Sequence, residues 1–176
     1  GKRVPVTREL LADTETPLSA YWKLAHDEPV SFLLESVTGG EQVSRYSMIG
    51  IRPTDVFRHR LQDHSSDGLD DLFAALGEPI ESEPGLPRFL GGAVGVIAYD
   101  WVRGLEPIGP GPDSESGEEE MIFLLQREVV VFDHARNLIH LVVLAEPKPE
   151  AYDQANDRLN ALEAKLLAPL QALPSG

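Results

Sequence analysis

The stretch from 121 to 145, MIFLLQREVVVFDHARNLIHLVVLA, constrains the fold more than any other part of the sequence. Two apolar runs rich in Val, Ile, Leu and Phe flank a polar segment from His134 to Asn137. Such runs joined by a short polar segment are typical of β-hairpins, whose two strands are antiparallel. We therefore expect one long hairpin here, turning near His134 to Asn137, and a fold built on antiparallel sheet.

Three further segments predict helices. The first covers 16–28, where Thr16 is a suitable N-cap, and the second covers 67–76, capped by Asp67 and closed at Gly77. The third covers 149–170 and has one apolar side, formed by Tyr152, Ala155, Leu159, Leu162 and Leu166.

Four more segments predict strands. The apolar run 30–37 indicates a strand buried on both faces, and 45–51 indicates its return partner across a Gly39-Gly40 turn. The segment 54–62 alternates as a third strand, and 89–102 is rich in glycine and β-formers. Strands separated by helices and joined by hairpin turns favour an α+β fold with largely antiparallel sheets and flanking helices.

Length and composition narrow the class of protein. The 176 residues suffice for one sizeable domain or two small ones, and 42% apolar with 25% charged residues is typical of globular proteins. The net charge of −14 disfavours nucleic acid, and no apolar stretch is long enough to predict a membrane span. No signal peptide is recognisable, and the absence of cysteine excludes disulfides and thiol chemistry. We therefore expect a cytoplasmic protein.

No pattern for catalysis or metal binding is present. The glycines of GGAVG (91–95) lack the GK[ST] ending of a phosphate loop, and no GxSxG elbow accompanies any serine. Metal-ligand spacing is absent among the five histidines, which are His26, His59, His64, His134 and His140. We predict no catalytic residue and no metal ligand in this chain.

Polar side chains cluster on both sides of one predicted turn, in FLLESVTGGEQVSRYSMIG (32–50). They are Glu35, Ser36, Arg45, Tyr46 and Ser47. A turn centred on the glycine pair places Leu34 opposite Arg45, so that Ser36, Arg45 and Ser47 share one face and Glu35 and Tyr46 the other.

This cluster matches the groups of a free amino acid. A guanidinium or a hydroxyl can bind an α-carboxylate, and a carboxylate can bind an α-ammonium. The alternative is an ordinary hairpin with an internal Glu35–Arg45 ion pair. Spacing alone leaves both interpretations open.

Four blocks of the sequence, in order, resemble the N-terminal region of anthranilate synthase component I, in the chorismate-utilising enzyme family. They are LLES (33–36), RYSMIG (45–50), FLGGAVGVIAYDWVRGLE (89–106) and FLLQREVVVFDHARNLIHLV (123–142). The resemblance implies that 1–176 is a single regulatory region of a larger α/β/β/α sandwich. It also implies that the catalytic, chorismate-binding C-terminal portion lies outside this chain, which alone would be inactive.

The family's activity gives the expected cofactors and partners. The parent enzyme would be a lyase of tryptophan biosynthesis, turning chorismate and ammonia into anthranilate and pyruvate. It would use Mg²⁺, and a glutaminase subunit, component II, would supply the ammonia from glutamine. The resemblance also implies that the LLES and RYS blocks line a site for the feedback inhibitor L-tryptophan, formed here by Ser36, Glu35, Arg45, Tyr46 and Ser47.

Two other functions stay open on the sequence. The chain is an assembly module that docks the glutaminase through the acidic segment 113–120 or a sheet edge, or it is part of the related aminodeoxychorismate synthase component I. If the sheets of the parent continue into the portion outside this chain, exposed strand edges and apolar surface would favour self-association.

Overall fold

The computed structural model describes residues 2–35, 45–60, 68–81, 83–106 and 119–170. They form two compact units, the larger drawn from 1–53, 78–91 and 126–176 and the smaller from 54–77 and 92–125. The strands are β1 Val4–Leu11, β2 Ser31–Leu34, β3 Tyr46–Ile51, β4 Asp55–His59, β5 Gly92–Ile97, β6 Met121–Gln126, β7 Glu128–Asp133 and β8 Leu138–Ala145. The helices are α1 Pro17–Ala25, α2 Leu69–Leu76 and α3 Pro149–Leu167, with a 3₁₀ helix at Tyr99–Gly104.

A five-stranded antiparallel sheet forms the larger unit, in the order β1-β8-β7-β3-β2. Helices α1 and α3 pack on one of its faces. The core on this side contains Leu24, Ile49, Phe132, Leu141 and Leu159, each with at most 2% of its surface exposed. The α+β class with antiparallel sheets and flanking helices is therefore confirmed.

Helices α1 and α3 follow the sequence prediction closely. Thr16 caps α1, since its hydroxyl accepts from the backbone N–H of Ser19 while the Ser19 hydroxyl accepts from the Thr16 N–H. In α3 the apolar side is buried at Ala155, Leu159, Leu162 and Leu166. Tyr152 differs, because it lies in the first turn of the helix beside a shallow apolar groove, and 56% of it is exposed.

The second face of this sheet is covered in part by residues from 80–81 and 83–90. Val129, Val131, Val142 and Leu144 are buried there against Leu90, with Ile80, Leu86 and Phe89 partly buried alongside. The two faces of one sheet therefore carry two separate hydrophobic clusters. On this second face, the aromatic ring of Phe32 lies so close to Gly50 that an added Cβ would be 2.1 Å from the ring.

The smaller unit contains a three-stranded sheet in the order β4-β6-β5. Glycine is required at position 95, because an added Cβ would lie 2.0 Å from the carbonyl oxygen of Ile122 in β6. Helix α2 begins after Gly68, which is its N-cap, and ends at Gly77 as predicted. Asp67, the predicted cap, lies outside the described residues.

The helices and strands differ from the sequence predictions at four places. The stretch 121–145 is two parts, since β6 joins the smaller sheet and only β7 and β8 form the hairpin, with Asn137 at φ 55° in its turn. The predicted strand 30–37 ends at Leu34 among the described residues. It is an edge strand and therefore only partly buried. In 89–102, β5 gives way to the 3₁₀ helix.

The last correction concerns a strand that was not predicted. The segment 4–11 forms β1 and pairs along its whole length with β8. It was missed because charged residues interrupt its apolar pattern. Arg8 faces α3, where its guanidinium binds the side chains of Asn160 and Glu163.

Candidate functional site

The register between β2 and β3 decides which predicted site residues share a face. Leu34 pairs with Met48, and Leu33 pairs with Ile49. Leu34 therefore lies opposite Met48 and not opposite Arg45, three residues away from the predicted register. An odd shift exchanges the two faces of a strand, so Leu34 shares a face with Met48 and not, as predicted, with Ser47.

Arg45 and Tyr46 lie on the sheet face opposite to the helices. Tyr46 pairs with Asp133 of β7, and paired residues of antiparallel strands point to the same face. The guanidinium of Arg45 binds the Asp133 carboxylate through two hydrogen bonds, of 3.0 Å from Nε and 2.6 Å from an Nη atom. Its Cζ atom lies 4.9 Å from the centre of the Tyr46 ring.

Ser47 lies on the helix face, away from Arg45. It pairs with Phe132 and is 2% exposed. Its Oγ atom is 2.8 Å from Nε2 of His134, whose ring stacks on Phe132. The structure therefore brings Arg45 and Tyr46 together and directs Ser47 into the core on the other side.

The other half of the predicted site lies at the end of β2. Glu35 follows the last residue of that strand and is exposed. Ser36 and the Gly39-Gly40 turn lie outside the described residues, so their place in the site stays a prediction. The partner of Arg45 is Asp133, 88 residues away, and the alternative of a Glu35–Arg45 ion pair is not what the structure shows.

Asp133 and His134 are the site residues that the sequence predictions missed. Asp133 is 2% exposed, whereas the Arg45 side chain is 39% exposed. The hydrogen bonds from Arg45 hold the pKa of Asp133 below its ordinary value, although burial acts in the opposite direction. A polar pair ending an apolar strand, as in VVVFDH (129–134), was the available signal.

A row of charged and polar groups continues across this face of the sheet. His140 of β8 pairs with Val131 of β7 and Glu9 of β1, so it lies on the face of Asp133 and Tyr46. It is fully buried, and its Nδ1 atom lies 3.4 Å from Glu9 Oε1. Burial lowers the pKa of His140, while the nearby charges of Glu9 and Asp133 act to raise it.

The described residues do not fit a divalent metal. No group of three or more His, Asp or Glu side chains among them is placed to hold an ion. The Mg²⁺ implied by the resemblance is therefore not assigned to any residue in the described parts of the chain.

In the parts of the chain that the structure describes, no helix has the length and apolar character needed to cross a membrane.

The relatives found by comparison with known proteins share one name. No family model matches the chain. Anthranilate synthase component 1 of Pseudomonas aeruginosa is 40% identical over 188 residues, covering 96% of this chain and 37% of that protein. The Thermus thermophilus protein of the same name is 39% identical over 180 residues, covering 97% and 37%. A probable anthranilate synthase component 1 from Schizosaccharomyces pombe is 37% identical, covering 99% and 36%.

A solved structure has the same fold. The crystal structure of anthranilate synthase component I from Streptococcus pneumoniae matches 91% of this chain and 37% of that protein, with a TM-score of 0.56 and 25% identity. These matches confirm the resemblance carried by the four sequence blocks. The chain therefore belongs, along nearly its whole length, to the family of anthranilate synthase component I, and it spans about 37% of the length of the relatives named above.

Proposed function

We propose that the chain is the N-terminal regulatory region of an anthranilate synthase component I, and that it binds L-tryptophan as a feedback inhibitor. The complete enzyme would convert chorismate and glutamine-derived ammonia into anthranilate and pyruvate. The chorismate site and its Mg²⁺ would lie in the remaining part of the enzyme. The relatives named above are anthranilate synthases, which favours this function over aminodeoxychorismate synthase.

The observation that carries the proposal is the half-exposed Arg45 beside Tyr46. A guanidinium has five N–H donors, and Asp133 occupies two of them. No other described residue accepts from Arg45, which leaves three donors in that part of the chain, and 39% of the side chain is exposed. They suit the α-carboxylate of an amino acid, because a carboxylate accepts paired hydrogen bonds from a guanidinium.

The remaining contacts of the ligand follow from the neighbouring residues. Glu35 is exposed at the end of β2, where a carboxylate could bind the α-ammonium group. Leu34, 47% exposed, and the partly buried Met48 lie opposite each other and offer an apolar surface for the indole ring. Ser36 would add a hydroxyl to the polar end of the ligand.

Inhibition would act by a shift of equilibrium within the complete enzyme. Occupied by tryptophan, the site would favour an arrangement of the enzyme that binds chorismate less well. Couplings between two such sites are typically about 1–3 kcal/mol.

Calorimetry with L-tryptophan on the full-length protein tests the proposal. The variant Arg45→Gln keeps one donor for Asp133 but loses the charge. Losing a charge-assisted hydrogen bond to the ligand costs about 1.5–3 kcal/mol, which is roughly a ten- to hundredfold loss of affinity. Arg103→Gln is the matched control, because Arg103 binds the Asp100 carboxylate in the smaller unit. Unchanged tryptophan affinity in Arg45→Gln, or an equal loss in both variants, would contradict the assignment.

A second function, docking of the glutaminase subunit, is favoured by one observation. The end of β5 exposes apolar side chains, with Val96 at 65% and Ile97 at 44%, and Tyr99 shortly after it is 90% exposed. Exposed apolar residues on a strand are typical of protein interfaces. Val96→Glu should weaken co-purification with the glutaminase and leave tryptophan binding unchanged. Undiminished co-purification would remove this surface from consideration.

A further inference from the structure

The buried Asp133 binds the guanidinium of Arg45, which is the proposed ligand-binding arginine. Its carboxylate takes the Nε edge of the Arg45 guanidinium, so the direction of the guanidinium plane is set by a side chain that is 2% exposed. Carboxylate and guanidinium fit each other in this planar, two-bonded geometry. The side chain of Arg45 would otherwise be a long, half-exposed chain with many rotamers.

Asp133 is itself fixed by the turn that follows β7. Its Oδ1 atom accepts from the backbone N–H of Arg136 at 3.3 Å, and its carbonyl oxygen accepts from the same N–H at 3.2 Å. The neighbouring His134 donates its backbone N–H to the carbonyl oxygen of Arg45 at 2.9 Å. Both the backbone and the side chain of Arg45 are therefore held by the consecutive residues Asp133 and His134.

Among the described residues only Asp133 accepts from Arg45, which leaves the end of the guanidinium between its two Nη atoms for a ligand. Of the three N–H donors not used by Asp133, one on each Nη atom lies on this end and the third points back toward the Cδ side. Because Asp133 already neutralises Arg45, a bound carboxylate is recognised mainly by the direction of these donors and less by net charge. Correct orientation therefore matters more at this site than at an unpaired arginine.

We propose that Asp133 is a positioning residue for an amino-acid carboxylate, acting only through Arg45. The inference rests on the proposed tryptophan site. Asp133→Asn keeps the shape of the side chain and one acceptor oxygen, but it no longer accepts from both N–H groups of the bonded guanidinium edge. Ordering a rotamer-rich side chain on binding costs about 0.5–1.5 kcal/mol, which corresponds to an affinity loss of roughly two- to tenfold.

A double-mutant cycle on the full-length protein tests this role, with the dissociation constant of L-tryptophan as its readout. Asp133→Asn alone should weaken tryptophan binding by roughly two- to tenfold. Added to Arg45→Gln, it should weaken binding no further, because its effect passes through Arg45. Arg45→Lys replaces Arg45→Gln in the cycle if the latter binds too weakly to measure. Glu163→Gln is the matched control, since Glu163 pairs with Arg8 on the helix side of the same unit.

The outcomes separate this inference from the proposed function. An unchanged affinity in Asp133→Asn would overturn the positioning role, and so would an equal loss in the wild-type and Arg45-variant backgrounds. Failure of the wild-type protein to bind tryptophan would overturn the proposed function first, and the inference with it. Thermal unfolding of each variant identifies any that is not folded, and Asp133→Glu, which keeps the charge, then takes the place of Asp133→Asn in the cycle. The role predicts that Asp133→Glu loses less affinity than Asp133→Asn, and a loss of similar size in both would contradict it.

Discussion

We expect the stability of the protein to depend on pH through His140. A single substitution at this position should remove that dependence. Its side chain is fully buried in the larger unit, and neither ring nitrogen has a hydrogen-bond partner among the described residues. The charged groups that act on it are Glu9, Asp133, Arg136 and Arg45. We predict that His140→Leu abolishes a loss of stability that the wild-type protein shows below pH 6.5.

The sign of the effect follows from the pKa of His140. Burial holds this pKa below the ordinary value of 6.5. As pH falls through 6.5, the unfolded chain binds a proton that the folded protein does not yet bind, and the free energy of unfolding decreases. One such proton gives a slope of at most about 1.4 kcal/mol per pH unit. The decrease stops once the pH falls below the pKa of the folded state.

His140→Leu should also be no less stable than the wild-type protein at pH 7.5. The two side chains are similar in size, and leucine has no polar atom to bury. Burying polar atoms without hydrogen bonds costs about 1–3 kcal/mol in proteins, so the variant should be equal to or more stable than wild type by up to roughly this amount.

Urea unfolding between pH 5 and 8 measures both effects. The quantity of interest is the difference in free energy of unfolding between His140→Leu and wild type at each pH, because other titrating groups then cancel. His26→Gln is the matched control, since His26 lies at the end of α1 beside Asp27 and is partly exposed. A difference that stays constant over this pH range, or one that grows equally in His26→Gln, would show that His140 is not the source of the pH dependence.

Two packing predictions follow from the larger unit. Leu159→Ala should lower the free energy of unfolding by about 2–5 kcal/mol, because Leu159 is 1% exposed. Leu167→Ala is the control, since Leu167 is 74% exposed, and it should change this free energy by less than about 0.5 kcal/mol. Gly50→Ala should lower it by about 1–3 kcal/mol, because the added Cβ would lie 2.1 Å from the Phe32 ring. Thermal or urea unfolding measures all three, and equal stabilities of the two leucine variants, or a fully stable Gly50→Ala, would contradict the described packing.

Local sequence signals predicted the helices well. The Thr16 cap, the Gly77 end of α2 and the buried leucines of α3 each depend on residues close together in the chain. Strand β1 was missed because charged residues interrupt its apolar pattern, whereas pairing with β8, more than 120 residues later, decides its conformation. The split of 121–145 between two sheets likewise depends on distant partners, which composition does not reveal.

The candidate site was predicted in its residue types and only partly in its geometry. Arg45 and Tyr46 do lie together, but the register differed by three residues because the turn length between β2 and β3 was inferred from a glycine pair alone. Asp133 could not be paired with Arg45 from the sequence, since the order of β3 and β7 in the sheet brings them together. Ser47 lies on the face opposite to Tyr46 as predicted, but it does not share a face with Arg45, because Arg45 precedes the first residue of β3 and the alternation of that strand does not fix its side chain.

A crystal structure of the full-length protein grown with L-tryptophan would show directly whether Arg45 binds the carboxylate of the ligand. We predict that the α-carboxylate lies within about 2.7–3.2 Å of the Nη atoms of Arg45, with Asp133 still bound to the Nε edge. We also predict the indole ring against Leu34 or Met48. Tryptophan bound at a place remote from Arg45, or an Arg45 that contacts Asp133 alone in the complex, would contradict it.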